Sequence, residues 1–432
     1  MKSADKRIVI TGFGCVTPFG IGKEAFTSGI LSTPNCFEYI PFDDVSENKK
    51  MVGGTIKGFS AKNYIANRKS LKVMSLDMQI AIASAKMAIE DAKASWDDTT
   101  APGVGVSIGA GMIQSLLSDL ANPIVSAYNN GAFDINKFGS ESLNVFFPLW
   151  LLKQLPNLVA SHISIEFNTQ GPSNTLTTGS SAGLQAIGEA ARTIERGDSV
   201  MALCGGSDCR THPIDLIKYQ LLGLYCDTPG GDFLDSYGPY DKKRSGFLTG
   251  ESAAIFLIER LDNALQRGAH IYAEIVGFGS SAGVTFREKD VDKRAHIESL
   301  AVIQALQDAG LQPDDIDCII GHGCSSVLGD HVEAAAYRKV FGSKLFSVPV
   351  TTPSAMTGYV GAATGPQNVA CALVALNEQK LPATPFLTDP DPECGLNVVR
   401  DTSVPFKADT VLVNTFDFFG QGSAMVLRKF QG

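Results

Sequence analysis

Arg7-Ile8-Val9-Ile10-Thr11-Gly12-Phe13-Gly14 reads as a buried strand ending in a glycine turn, and Tyr272-Ala273-Glu274-Ile275-Val276-Gly277-Phe278-Gly279 reads the same way far along the chain. The segments downstream of the two also match. After the first come a helix ending Ala88-Ile89-Glu90-Asp91-Ala92, the pair Asp97-Asp98 and the strand Val104-Gly105-Val106-Ser107-Ile108-Gly109. After the second come Ala305-Leu306-Gln307-Asp308-Ala309, the pair Asp314-Asp315 and the strand Asp317-Cys318-Ile319-Ile320-Gly321. Helical apolar spacing alternating with short apolar runs indicates two α/β halves built around buried sheets. The polar segment Arg260 to Gly268, with its glycine stop, is the expected boundary, giving halves 1–265 and 266–432.

A chain of 432 residues, 44% hydrophobic and 19% charged, has the balance of a globular enzyme with a full core. The net charge of -9 argues against broad contact with nucleic acid, though not against a local basic patch. The nine cysteines form no C-x-x-C pair, and no basic, apolar leader precedes Arg7, so reduced thiols and a cytoplasmic location are expected. Apolar runs such as Val145 to Leu152 fall short of a membrane span. The six histidines show no zinc spacing, so neither metal nor cofactor is expected. The stretch from Phe133 to Ile165 is too apolar for an exposed loop and reads as interface, pocket lining or core.

Chemistry concentrates in Gly171-Pro172-Ser173-Asn174-Thr175-Leu176-Thr177-Thr178-Gly179-Ser180-Ser181-Ala182-Gly183, which leads into the amphipathic helix Leu184 to Ile194. A side chain at such a turn meets free backbone N–H groups and the helix dipole, which suits a nucleophile and an oxyanion. Small polar residues before a helix are equally ordinary N-caps. Gly179 to Gly183 also fits G-x-S-x-G, the hydrolase elbow with Ser181 at its centre and His322 as a possible later partner.

The run from Gly171 to Asp198 resembles the nucleophile region of the elongating ketosynthases of fatty acid and polyketide synthesis, with Ser180 standing where that family has its cysteine. Gly238-Pro239-Tyr240-Asp241-Lys242-Lys243-Arg244-Ser245-Gly246-Phe247-Leu248-Thr249-Gly250-Glu251 is similar to the family's R-P-F-D-x-x-R-x-G-F-x-x-G-E segment. His322-Gly323-Cys324-Ser325-Ser326, with Asp330 and Glu333 beyond it, resembles the motif that carries the first catalytic histidine. The similarity extends from Arg7 to about Leu427. It implies a thiolase-like fold of duplicated α/β halves in an α-β-α-β-α layering.

The resemblance breaks where condensation takes place. Where the family has K-S-M-T-G-H, the chain reads Ser354-Ala355-Met356-Thr357-Gly358-Tyr359, so serine replaces lysine and tyrosine replaces the second histidine. A phenol titrating near 10 is a poor substitute for an imidazole. The glycine-rich gate appears as Asn414-Thr415-Phe416-Asp417-Phe418-Phe419-Gly420, with Asp417 and Phe419 in place of glycines. A serine hydroxyl stays protonated without a base. The resemblance thus implies Ser180, His322 and Tyr359 as catalytic positions, Asp330, Glu333 and Ser354 as support, and Phe146, Phe147, Trp150, Asp417, Phe418 and Phe419 as tunnel, gate or interface.

The resemblance implies three candidate functions. The first is a chain length factor, a condensation-incompetent subunit that pairs with an active ketosynthase and shapes its acyl tunnel. The second is an acyltransferase using Ser180 with His322 as base on acyl carrier thioesters. The third is a serine-variant ketosynthase. All imply an acyl carrier protein with its phosphopantetheine-linked chain as partner, and a heterodimer or homodimer.

Overall fold

The opening strand, β1 (Ile8–Thr17), does not stop at its glycines as the sequence suggests; it runs through them, buried along its whole length. The cause is α1 (Leu76–Ala92), which lies close across it. A Cβ at Gly12 would collide with the Ala88 carbonyl and the Ala92 side chain, so only glycine admits the helix. A register shift between Ile10 and Gly12 marks the same place.

The computed structural model describes residues 6–40, 51–228, 232–283 and 288–431. Four further strands form the main path of the first half: β2 (Val104–Ala110), β3 (Ser173–Leu176), β4 (Met201–Cys209) and β5 (Thr249–Arg260). The second half has β6 (Ala273–Ala282), β7 (Cys318–Ile320), β8 (Pro349–Thr351), β9 (Thr410–Phe416) and β10 (Gln421–Arg428). The spatial order is β3-β2-β4-β5-β1 in one and β8-β7-β9-β10-β6 in the other, and the halves meet where β1 pairs antiparallel with β6. The first three strands of each order are parallel and the last two antiparallel, so the duplication holds in topology.

It holds in side-chain detail too. Gly277 lies against Ala305 and Ala309 of α3 (Val291–Ala309), as Gly12 lies against α1, and β6 shifts register between Ile275 and Gly277. Asp91 Oδ2 accepts the Phe13 N–H at 3.0 Å, and Asp308 Oδ2 accepts the Phe278 N–H at 3.0 Å.

Two helices fill the space between the sheet halves: α2 (Ala182–Arg196) and, after α4 (Val327–Phe341), α5 (Thr364–Glu378). From Thr364 to Leu376 α5 is buried on every side, as a helix packed between two sheets must be. Its Val369 and Leu373 share one core with Ile10 of β1, Leu184 of α2 and Val413 of β9. With α1 outside one half and α3 and α4 outside the other, the layering is the α-β-α-β-α of a duplicated thiolase-like fold.

The apolar stretch from Phe133 to Ile165 divides. Val159, Ala160 and Ile163 are core, whereas Phe147, Leu149 and Leu151 are exposed. Among the described residues no helix is long and apolar enough to cross a membrane.

Candidate functional site

Ser180 lies in a turn of 3-10 helix, Gly179–Ser181, that feeds α2. His322 comes just after β7, and Tyr359 lies between the short helix Ser354–Thr357 and α5. All three thus lie where parallel strands end and the following helices begin, the end of an α/β sheet that collects ligands.

Ser180 is fully buried, and its polar atoms are taken. Its hydroxyl donates to the Phe416 carbonyl at 2.7 Å and approaches Asp417 Oδ2 at 3.2 Å. Its backbone N–H donates to the same Asp417 oxygen at 3.1 Å. Asp417 Oδ1 accepts the Phe419 N–H at 2.9 Å, which closes the gate segment on itself. The carboxylate also lies against Gly179, whose φ of 62° and lack of a Cβ leave it room. Burial raises the Asp417 pKa, opposed by the donated hydrogen bonds. None of Ser180's bonds runs to His322. Ser181 donates to the Gln421 carbonyl at 3.0 Å and meets no histidine, so the hydrolase elbow has no triad here.

His322 is held through its backbone. Glu333 Oε1 accepts the His322 N–H at 2.7 Å and the Tyr337 hydroxyl at 2.7 Å, while Oε2 accepts the Gly323 N–H at 2.9 Å and the Tyr240 hydroxyl at 3.1 Å. Asp330 accepts the Tyr240 N–H at 2.9 Å and faces Arg244 Nε at 3.2 Å, yet burial pushes its pKa up to about 7. The imidazole itself has no anchor: Nδ1 is buried without a hydrogen-bond partner, and burial lowers its pKa to about 4. It is therefore neutral near pH 7.

The His322 ring lines a cavity of about 60 Å³ shared with Arg294, Glu298, Cys324, Tyr359, Asp417 and Phe418. Tyr359 is part of an aromatic wall. Its ring stacks on Phe247 at 4.6 Å and meets Tyr219 at 5.9 Å, Phe418 at 6.2 Å and His322 at 6.4 Å. Burial drives its phenol pKa well above 10, so it can donate a hydrogen bond but not act as a base. Ser354 is buried; its carbonyl accepts the Tyr237 hydroxyl at 2.7 Å, and its own hydroxyl has no partner. Phe419 packs on Phe418 at 4.6 Å and is 49% exposed.

Phe146 and Trp150 pack with tilted rings at 4.7 Å in the flanking segment, and neither they nor Phe147 line the His322 cavity. His331, Asp391 and Cys394 bring ligand atoms within 4.8 Å of one another, but Arg244 already donates to Asp391 at 2.8 Å and to Cys394 at 3.6 Å. A guanidinium fills the place of a cation there.

Sequence reasoning passed over three groups. Arg294 and Glu298, one turn apart on α3, are 6% and 5% exposed. Arg210, behind the aromatic wall, donates to Asp208 at 2.7 Å and 2.9 Å and to Asp215 at 3.3 Å, fully inside the protein. Charged residues in a motif-free stretch carry no local sign of burial.

Comparison with known proteins bears on the family and the fold. Residues 5–264 match the beta-ketoacyl synthase N-terminal domain model and residues 272–388 the C-terminal domain model. The chain is 30% identical over 430 residues to a 3-oxoacyl-[acyl-carrier-protein] synthase 2 of Synechocystis, covering 99% of each chain. A protein of the same name from Coxiella burnetii is 30% identical over 424 residues, covering 98% of this chain and 99% of its own. Among solved structures, the ishigamide ketosynthase/chain length factor superposes with a TM-score of 0.85 at 26% identity, covering 98% and 99%. A type II polyketide ketosynthase in complex with its acyl-carrier protein, AntDE:AntF, shares the fold with a TM-score of 0.80 at 24% identity, covering 98% and 99%. With both domain models matched in order and a relative 30% identical from end to end, the chain belongs to the beta-ketoacyl synthase family.

Proposed function

We propose that this member of the family is a condensation-incompetent subunit of the chain length factor type, which pairs with an active ketosynthase and works beside it on carrier-bound acyl chains. The observation that carries the reading is the Asp417 carboxylate on both the hydroxyl and the backbone N–H of Ser180. A nucleophile needs its hydroxyl facing a base and its own N–H free for the oxyanion. Here the hydroxyl's shorter bond goes to the Phe416 carbonyl, the Asp417 carboxylate beside it already accepts the Ser180 and Phe419 N–H groups, and the Ser180 N–H is thereby occupied. Tyr359, buried in an aromatic stack, adds no second imidazole. The similarity to a ketosynthase/chain length factor structure supports the pairing. A carrier protein would dock on the exposed cations Lys62, Arg68, Lys69 and Lys72, which lie in a stretch from Ile56 to Leu76 that holds no carboxylate.

The test is reconstitution with an intact ketosynthase and a carrier protein. Ser180→Ala is expected to leave product formation within about twofold of the parent, because on this reading no acyl bond forms at that oxygen. A loss of a hundredfold or more, or an acyl adduct on Ser180 by mass spectrometry that vanishes in the variant, overturns the reading in favour of an acyltransferase or a serine ketosynthase.

A further inference from the structure

A second cavity lies at the far end of α5 from Tyr359. The helix has 15 residues, which at about 1.5 Å each puts its last turn roughly 20 Å beyond its first. There Leu373, Val374, Asn377 and Glu378 face the helix Lys23–Ser32, Phe13 of β1 and the lead-in to β6 across a space of about 600 Å³. Sites for small molecules span roughly 300–1,000 Å³. The floor is apolar, with Phe13, Leu373 and Val374 all buried. One wall is aromatic: the Tyr272 ring meets Phe13 edge-on at 5.4 Å and His270 edge-on at 4.5 Å.

We propose that this cavity binds a small organic ammonium ion whose apolar body is about the size of one ring. The sign of the guest follows from which charges are free. Lys23 is the one lysine or arginine on the lining, and its charge is spent. Its ammonium donates to Asp91 and, at 2.7 Å, to the Tyr272 hydroxyl, which donates on to Asp91 Oδ1 at 3.1 Å. Glu24 and Glu378, on the two helices that flank the space, are exposed and have no hydrogen-bond or ion-pair partner among the described residues. Glu378 stands in the last turn of α5, which holds no basic residue, so the negative end of the helix dipole adds to its charge. Carboxylates are disfavoured at such an end, and a bound cation relieves both. The positive end of the helix Lys23–Ser32 carries only about half a charge against the full charge of Glu24 in its first turn. The chemistry of the guest follows from the floor. A bare metal ion would leave Phe13, Tyr272, Leu373 and Val374 uncovered, and a carboxylate would face both glutamates, whereas an amine on an apolar body meets each surface with its match.

This site does not rest on the function proposed above, and its test needs neither carrier nor ketosynthase. The full-length chain is titrated at pH 8 and low salt with phenethylammonium chloride, with 2-phenylethanol as a neutral probe of the same shape, and with phenylacetate as the probe of opposite sign. Binding is read by isothermal calorimetry and by saturation-transfer NMR on the ring protons of each probe. The expected result is saturable binding of phenethylammonium, at least tenfold weaker binding of the alcohol, none of phenylacetate, and at least a tenfold loss for the ammonium in the double variant Glu24→Gln, Glu378→Gln. Both positions are exposed, so the unfolding midpoint of that variant should stay close to the parent's. No saturable binding, equal affinity for the alcohol, a preference for phenylacetate, or unchanged binding in the double variant overturns the proposal. Ser28→Trp, which fills the cavity from an exposed position on its wall, must abolish the binding; retention places the probe elsewhere and overturns the assignment. Should the double variant not fold, Ser28→Trp and the three probes decide between the same outcomes.

Discussion

Two residues decide what the site can do, and both respond to pH in a defined direction. His322 has its pKa lowered by burial to about 4, against about 6.5 in an unfolded chain. The unfolded state thus binds the proton more readily. Stability that depends on neutral His322 is complete above about pH 6.5 and is lost as pH falls toward 4, by about 3 kcal/mol. His322→Gln should flatten that part of the stability curve, measured by urea unfolding at pH 7.5, 5.5 and 4.5; an unchanged slope refutes the assignment. Asp417 is shifted the other way. Burial raises its pKa, so its contribution is complete below the ordinary carboxylate range near 4 and declines as pH rises through the raised value. Asp417→Asn, which keeps one acceptor oxygen and carries no charge, is expected to lose less than Asp417→Ala, with its deficit against the parent smallest at pH 8 and growing by pH 5. Asp417→Ala should lose about 1–3 kcal/mol, because the Ser180 and Phe419 N–H groups are left unpaired. Equal stability of the two variants would remove Asp417 as the lock on Ser180. Neither behaviour was legible locally: Asp417 was visible only as a lost glycine, and its partner lies 237 positions away.

Among the elements, the repeat rests on helices that press onto strands through glycine. Gly12 and Gly277 are equivalent, each against an alanine pair of its helix. Alanine at either must push the helix away, at about 1–3 kcal/mol by the cost of overpacking. Gly139, in the short helix Ile135–Ser140 with nothing within 4 Å of its missing Cβ, is the control; alanine there should be neutral or stabilising. Denaturant midpoints that fall alike for Gly12→Ala and Gly277→Ala but not for Gly139→Ala would confirm that the halves are built alike. The sequence showed the repeat but misplaced the ends of β1 and β6, since glycine signals a turn unless a helix close above the strand requires it.

For the molecule as one body, the proposed pairing with a ketosynthase needs an apolar surface to cover, and the flank around Phe147 and Leu151, 47% and 51% exposed, offers one. Phe147→Glu with Leu151→Glu should leave the chain's own unfolding midpoint nearly unchanged while abolishing co-elution with a ketosynthase on a sizing column; persistence of the complex moves the interface elsewhere. The order of residues was enough to reveal the duplicated frame, the strand ends at which chemistry gathers, and Ser180 and Tyr359, the residue types on which the proposed loss of condensation rests. Those are local quantities: periodicity, turn residues and short motifs record what each segment must do with its own neighbours. It took the folded packing to show that Asp417 takes both donors of Ser180, that Arg294 and Glu298 turn inward, and that His322 is held through Glu333 with its ring unanchored. Each of these depends on which strand end lies beside which helix start, a choice made by the packing of α2 and α5 between the two halves and written in no single stretch of chain.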